Sequence, residues 1–407
     1  MVVDKGKLHV SGEIKASYSA GKLSKVLRQL LKKYRLISKI HPFFTGGAVG
    51  FWGYELAIFF EKIRFRKKQD PGIPLLHLGF YRELIVFDHK NKKYFLVAHD
   101  KDGKNKNAGK FDELKKYFNG TKLSVPLKPF TVKKFKPGIS QDRFEKMVRK
   151  AKAYIEAGDI YQANISQRFS FEFSGSPLRL YDFLRKINPS PFSSFLQFGE
   201  MRMISSSPER LVSKKGRVCE TRPIAGTCRR KGGRFDRQMI RDLLANEKEQ
   251  AEHIMLVDLE RNDLGRVCDY KSVRVEEMMT VEKYSHVLHI VSKITGKLSK
   301  NKDGLDLIRA LFPGGTITGC PKIRCMEIID ELEPVQRGPY TGSIGYIDFS
   351  GDLDLNIIIR TVILKKDRGF FQVGAGIVYD SDPQKEYEET LHKGEALAEA
   401  LAQARLK

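Results

Sequence analysis

Apolar and polar positions along this chain follow two periods, and the switches between them outline its elements. Over residues 78–100, LGFYRELIVFDHKNKKYFLVAHD, two apolar runs flank the polar turn 89–92, which predicts a β-hairpin. After Ser140, a candidate N-cap, the residues Phe144, Met147, Val148, Ala151, Tyr154 and Ile155 recur at helical spacing up to Gly158 and predict an amphipathic helix. Phe169, Phe171 and Phe173 then alternate as in a strand, and strand patterns return over 202–214, 340–349, 355–365 and 369–379. Helical patterns cover 234–264, 305–312, 321–332 and 384–401. Strands in antiparallel-looking pairs with helices grouped between them give an α+β class. A Gly/Asn/Lys loop over 102–109, a short helix over 111–118 and a basic Pro/Gly stretch over 133–138 set a boundary there. The chain divides into an N-terminal region, 1–138, and a larger part, 139–407.

Composition narrows the functional classes. With 41% apolar and 10% aromatic residues the chain can bury a substantial core, so wholesale disorder is excluded. No stretch approaches the ~18 apolar residues of a spanning helix, and residues 1–10 lack a signal-type apolar centre. A cytoplasmic protein without a membrane partner is expected. The five cysteines are scattered, with no histidine near them at zinc spacing, and read as reduced thiols. The net charge of +24 invites a nucleic-acid reading, but the basic runs are thin and interrupted and no recognition motif is present. An anionic small substrate accounts for the balance equally well, and no nucleic-acid partner is expected.

Several segments could carry chemistry. Glu249 and Glu252, and again Glu386 and Glu389, are spaced to share a helix face, with Lys393 one turn beyond the second pair. One carboxylate from each helix would suffice for Mg²⁺, which keeps water and substrate oxygens in its other positions; solvated helix faces with salt bridges fit the same spacing. LFPGGTITGCPK places glycines ahead of a helix opening near Pro321, either an anion-binding turn or a plain tight turn. Glu209, in SSSPER, would serve as a general acid if burial raised its pKa, and is otherwise a turn residue. His289 lies among apolar residues, where a histidine is commonly a satisfied core group.

These segments occur together and in a particular order. GDIYQANISQRF, SPERLV, RPIAGT, AEHIMLVDLERNDLGRV, GGTITGCPK, MEIIDELEP, GSIGYIDF, GAGIV and EYEET follow one another from about residue 140 to 401. In this the chain resembles the chorismate-binding catalytic domain shared by anthranilate synthase component I, aminodeoxychorismate synthase component I, and the isochorismate and salicylate synthases. PFFTGGAVGFWGYEL and the 78–100 hairpin resemble the N-terminal part of that family, while the first 40 or so residues match poorly and look shortened. The resemblance implies antiparallel sheets packed together with helices outside.

It also implies roles. Glu252 and Glu389 would hold Mg²⁺ against the ring carboxylate of chorismate, with Glu249 and Glu386 beside them. Arg360 and Tyr340 would meet the enolpyruvyl carboxylate, for which a guanidinium fork is suited, with backbone N–H groups from Gly374, Ala375 and Gly376. Lys393 would support the metal end, Gly226 and Thr227 would line the ring, and Glu209 would protonate the departing C4 hydroxyl. His289 and Thr316 match polar positions on the enolpyruvyl side. Gln162 stands where the water-adding relatives carry a basic lysine, so ammonia is the implied nucleophile. Ala225 stands where aminodeoxychorismate synthases commonly carry lysine, which with Thr316 resembles anthranilate synthase. NPSPFSSFLQFG, TITGCPK and GPYTGSIGYIDF resemble aminodeoxychorismate synthase more closely, and that reading is preferred, with anthranilate synthase as the alternative. No cysteine has the setting of a glutaminase nucleophile, so a separate glutamine amidotransferase subunit is the implied ammonia source.

Overall fold

The computed structural model describes residues 1–36, 41–67, 69–70, 72–99, 109, 111–112, 115, 127–229, 233–283 and 287–405. The loop expected over 102–109 and the short helix expected over 111–118 lie largely outside these residues. The described chain forms two large antiparallel sheets faced by helices, as the α+β reading required. The larger sheet runs in the order Ile224–Arg229, Val287–Lys297, Val218–Arg222, Arg210–Lys215, Leu353–Asn356, Ser343–Asp348, Gly47–Trp52, Leu76–Tyr81, Val2–Asp4, Lys7–Val10 and Ala16–Ser19, with Arg274–Lys283 paired to Val287–Lys297. It is built from strands on both sides of residue 138. The smaller runs Phe192–Phe198, Met201–Ser207, Thr361–Lys365, Arg368–Ile377, Gln162–Gly175 and Gly319–Cys320, with Phe130–Pro137 beside Gln162–Gly175. Glu83–Asp88 and Lys93–Ala98 form the expected hairpin.

Helices cover the outer faces because each presents one apolar stripe. Helix α1 (Leu23–Lys33), α5 (Glu247–Gly265) and α6 (Gly304–Leu311) pack on the larger sheet through Leu27, Val257, Leu264, Leu307 and Ile308. Helices α2 (Gln141–Glu156) and α7 (Lys322–Leu332) cover one part of the smaller sheet, and α3 (Pro177–Ile187) and α8 (Pro383–Ala402) another. Ser140 caps α2 as expected, its hydroxyl accepting from the Arg143 N–H. Phe51 and Ile344 from one sheet meet Met201, Met203 and Ile363 from the other. The two sheets therefore share an apolar layer.

Three expected elements are divided. The helix expected over 234–264 is two, α4 (Gly233–Ala245) and α5, because Asn246 leaves helical geometry and its side chain accepts from the Glu249 N–H as a new N-cap. The strand over 202–214 breaks at Pro208, which has no N–H for a ladder. The strand over 355–365 breaks at 357–360. In both strands the chain passes from one sheet to the other at the break. These two crossovers lie side by side: the Ile357 N–H donates to the Glu209 carbonyl (3.0 Å) and the Ser206 N–H to the Arg360 carbonyl (3.1 Å).

A buried ion pair joins the sheets' connecting segments. The Arg337 and Glu333 side chains are only 1% and 3% exposed and meet at 2.7 Å. All five guanidinium donors are used: toward Glu333 from Nε and Nη2, the Asn164 carbonyl (2.6 Å), the Ile317 carbonyl (2.8 Å) and Thr341 Oγ1 (3.3 Å). Glu333 also accepts from the Ser166 N–H at 2.8 Å. Replacing Arg337 with leucine would strand a buried carboxylate, so urea unfolding should register a loss of about 3–5 kcal/mol.

Candidate active site

Glu209 stands directly after Pro208 on the first crossover, in the interior. It is 5% exposed, and its Oε1 accepts from Thr316 Oγ1 at 2.8 Å. Burial pushes its pKa up to about 7, opposed by the Thr316 hydroxyl, an Ile224 backbone donor and the nearby Arg360 and Lys393 charges. A carboxyl in this state keeps its proton in about half of the molecules at neutral pH, and in more of them below it, and can give it away. Thr316 is presented by the short turn Gly315–Ile317, which Arg337 holds through the Ile317 carbonyl.

Arg360 occupies the second crossover with φ of 50°. A left-handed conformation costs a residue with a side chain about 1–2 kcal/mol, and such outliers gather where a side chain must be aimed. Burial lowers the pKa of its guanidinium, while Glu209 opposes that shift. Tyr340 is buried nearby, its ring under the Arg337 guanidinium at 5.5 Å from the centroid.

The strand Arg368–Ile377 forms a wall made of backbone. Gly374 and Gly376 pair with Ser166 and Asn164 of Gln162–Gly175. A Cβ at Gly374 would lie 2.6 Å from Asn164 Oδ1 and 2.8 Å from the Tyr340 hydroxyl, and one at Gly376 would lie 2.5 Å from Gln162 Nε2. Ala375, between them, turns to the opposite face and is buried beneath α2 and α7.

A carboxylate group closes the other end. Gln162 Nε2 donates to Glu252 Oε1 of α5 at 2.8 Å. Lys393 and Glu389, one turn apart on α8, pair at 2.6 Å, and Lys393 also donates to the Gly374 carbonyl at 3.2 Å. The pKa of Glu252 is raised by burial, then by the charges of Glu249 and Glu389, with Gln162 and Lys393 pulling it down. Glu252, Glu249 and Glu389 therefore lie within electrostatic reach of one another, and Lys393 connects them to Glu209. Glu386 is buried one turn earlier on α8, where it accepts from Ser381 Oγ at 2.6 Å. Among the described residues no group of three or more His, Cys, Asp or Glu side chains is gathered for a metal ion. Two carboxylates meet the protein's share of a Mg²⁺ shell, and crowded negative charge that holds the Glu252 pKa high is a setting a divalent cation would relieve.

His289 is buried on Val287–Lys297, in register with Thr227. The side chains of Ala225, Gly226 and Thr227 lie outside the described set. Sequence reasoning missed Asn164, Ser166 and Glu260. Glu260 is 3% exposed on α5, accepts from Thr221 Oγ1 at 3.2 Å, and has its pKa raised by burial and by Asp263. The available signal was that polar residues at 162, 164 and 166 alternate with Ala163 and Ile165, which marks a strand with an uncharged polar face.

The model of the family described as chorismate binding enzyme matches residues 4–399. The chain belongs to the chorismate-binding enzyme family. Aminodeoxychorismate synthase component 1 of Bacillus subtilis (strain 168) is 46% identical over 366 residues, 88% of this chain and 78% of that one. Anthranilate synthase component 1 of Aquifex aeolicus (strain VF5) is 41% identical over 411 residues, 98% of this chain and 83% of that one. The crystal structure of anthranilate synthase component I from Streptococcus pneumoniae TIGR4 superposes with a TM-score of 0.84 at 36% identity, covering 96% and 90% of the two chains. The fold is that of anthranilate synthase component I, as the sequence resemblance implied. This member is a chorismate-utilising enzyme of the aminodeoxychorismate and anthranilate synthase group. No helix among its described residues is long and apolar enough to cross a membrane.

Two expectations follow. Gly374→Ala should lower the unfolding temperature, because its Cβ would also lie 2.9 Å from the Ile165 carbonyl and overpacking costs about 1–3 kcal/mol. The protein that still folds should show kcat/KM for chorismate cut by roughly a hundredfold, the scale of a displaced reacting group. Glu209 must be protonated to act as an acid, and its raised pKa keeps it so up to about 7. Rates normalised to free ammonia should therefore fall as pH rises through that value, and Glu209→Gln should remove this limb and lower kcat by about 10²–10⁴.

Proposed function

We propose that this chain is an aminodeoxychorismate synthase component I, converting chorismate to 4-amino-4-deoxychorismate with ammonia from a separate glutamine amidotransferase subunit. The observation that carries the reading is the buried Glu209, its pKa raised to about 7 by burial, within electrostatic reach of Arg360 and of Lys393, which pairs with Glu389 and also acts on Glu252. An acid next to a guanidinium suits an anionic substrate that must lose a hydroxyl. The component 1 designation of the relatives supports the two-subunit arrangement.

Glu252 and Glu389 would hold Mg²⁺, with Glu249 and Glu386 as supporting carboxylates. When bound, the ion supplies positive charge to anchor the ring carboxylate. Arg360 and Tyr340, with the Gly374, Ala375 and Gly376 backbone, bind the enolpyruvyl carboxylate. Lys393 holds Glu389 and the Gly374 carbonyl in place, and Gly226 and Thr227 line the ring. As ammonia forms a C–N bond at C4, the C4–O bond breaks and the hydroxyl takes the Glu209 proton and leaves as water. The new ammonium group sheds one proton, which restores the acid. Thr316 steadies Glu209 by its hydrogen bond, and His289 shapes the enolpyruvyl side. Gln162 is an amide and cannot serve as the base for water, which favours ammonia.

The second reading is anthranilate synthase, in which ammonia adds at C2 and pyruvate is eliminated. Ala225 favours it, since a methyl group offers no amine for a ring adduct. Incubation with chorismate, MgCl₂ and ammonium chloride separates the two. The proposal expects p-aminobenzoate only after an aminodeoxychorismate lyase is added; fluorescent anthranilate with pyruvate and no lyase would replace it with the second reading.

A further inference from the structure

The strand Gln162–Gly175 carries a polar row that the roles above leave unexplained. Gln162, Asn164 and Ser166 share one face, because alternate strand residues do. They are 3%, 8% and 1% exposed. Among the described residues, Gln162 Oε1, Asn164 Oδ1 and Ser166 Oγ are all buried without a hydrogen-bond partner. Leaving a buried polar group unsatisfied costs about 1–3 kcal/mol, so three in succession call for a ligand.

Neighbouring atoms define what that ligand is. The amide donor of Gln162 is engaged by Glu252, so its oxygen is the end left over. The backbone on either side is committed, with the Ser166 N–H donating to Glu333 and the Asn164 carbonyl accepting from Arg337. The strip is therefore held fixed while its side-chain oxygens stay open. Directly opposite, Gly374 and Gly376 leave the space that Cβ atoms would fill, and such atoms would run into Asn164 Oδ1 and Gln162 Nε2. The room beside the row is narrow and rich in acceptors. Chorismate brings two carboxylates, which are acceptors themselves and match the row poorly, and one hydroxyl, which the roles above give to Glu209. A small, donor-rich molecule matches it well.

We propose that Asn164 and Ser166, with the Gln162 oxygen, form the binding strip for ammonia, holding the nucleophile by its N–H groups beside the glycine wall. This rests on the amination reading above and names the place of the second substrate. Ammonia carries more N–H donors than water carries O–H donors, so a run of acceptors favours it. With its N–H groups given to these oxygens, the nitrogen keeps its single lone pair free for the new C–N bond.

The test uses the full chain with chorismate, MgCl₂ and ammonium chloride, measuring KM for each substrate separately. Asn164→Val removes the acceptor on a residue type suited to a strand and should raise KM for ammonia by about tenfold or more, with KM for chorismate within about twofold. Asn164→Asp keeps an acceptor oxygen and should stay closer to the parent value for ammonia than the valine variant does. If the valine variant does not fold, Ser166→Ala provides the same comparison. A rise in KM for chorismate with that for ammonia unmoved would overturn the assignment and place the row against the carbon substrate. No change in either constant would overturn it as well. Absence of ammonium-dependent turnover in the parent chain would overturn the amination reading itself, before any variant is compared.

Discussion

The site depends on the Arg337–Glu333 ion pair. A guanidinium with its five donors satisfied and 1% exposure fixes three segments at once: the strand bearing Asn164, the turn bearing Thr316 and the loop leading to Tyr340. Charge this deep is tolerable only because each partner is saturated. Its contribution is geometric more than energetic. Desolvation offsets much of the attraction, and what remains is a directional junction that an apolar contact could not supply. Glu55 extends the junction by accepting from the Arg337 and Gly338 N–H groups, and burial raises its own pKa to about 7.

Around this junction, two kinds of construction meet. Glu209 and Arg360 sit on neighbouring crossovers where the chain passes between sheets. Ladder pairing lapses there, and side chains can be aimed into the interior without interrupting a regular strand. Glu252 and Glu389 come instead from helices on different sheets, α5 and α8. Gln162 and Lys393 tie these carboxylates to the smaller sheet, through Glu252 and through Glu389 and the Gly374 carbonyl, and the Lys393 charge reaches Glu209 as well. Glu209 and the carboxylate cluster share one electrostatic environment, because the Lys393 charge acts on both.

Much of the fold was legible from local pattern. Helix α2 and its Ser140 cap, the 83–98 hairpin and the Glu389–Lys393 pair all follow from spacing over a turn or two, where local geometry decides the contact. The division at 357–360 was not legible because Ile357, Ile358 and Ile359 prolong the apolar run, and Pro208, a recognisable strand breaker, does not tell which sheet the chain joins next. Asn246 was hidden in a helical pattern because its role depends on a cap bond rather than on periodicity. The grouping of Glu209, Arg360 and Glu252 came from motif order and resemblance, since no spacing rule joins residues so far apart in the chain. Asn164, Ser166 and Arg337 read in sequence as ordinary polar positions. Only packing of the second sheet and the helices around them reveals that they are interior.

The paired crossovers have a consequence for how the pocket responds to its contents. Glu209 and Arg360 are laced together through main-chain bonds from Ile357 and Ser206, so their separation is set by the polypeptide itself. Glu252 and Glu389 are restrained chiefly through the flexible side arms of a glutamine and a lysine. One end of the cavity is stiff and the other compliant. Adjustment to cargo falls on the compliant end, and the distance between acid and guanidinium survives it.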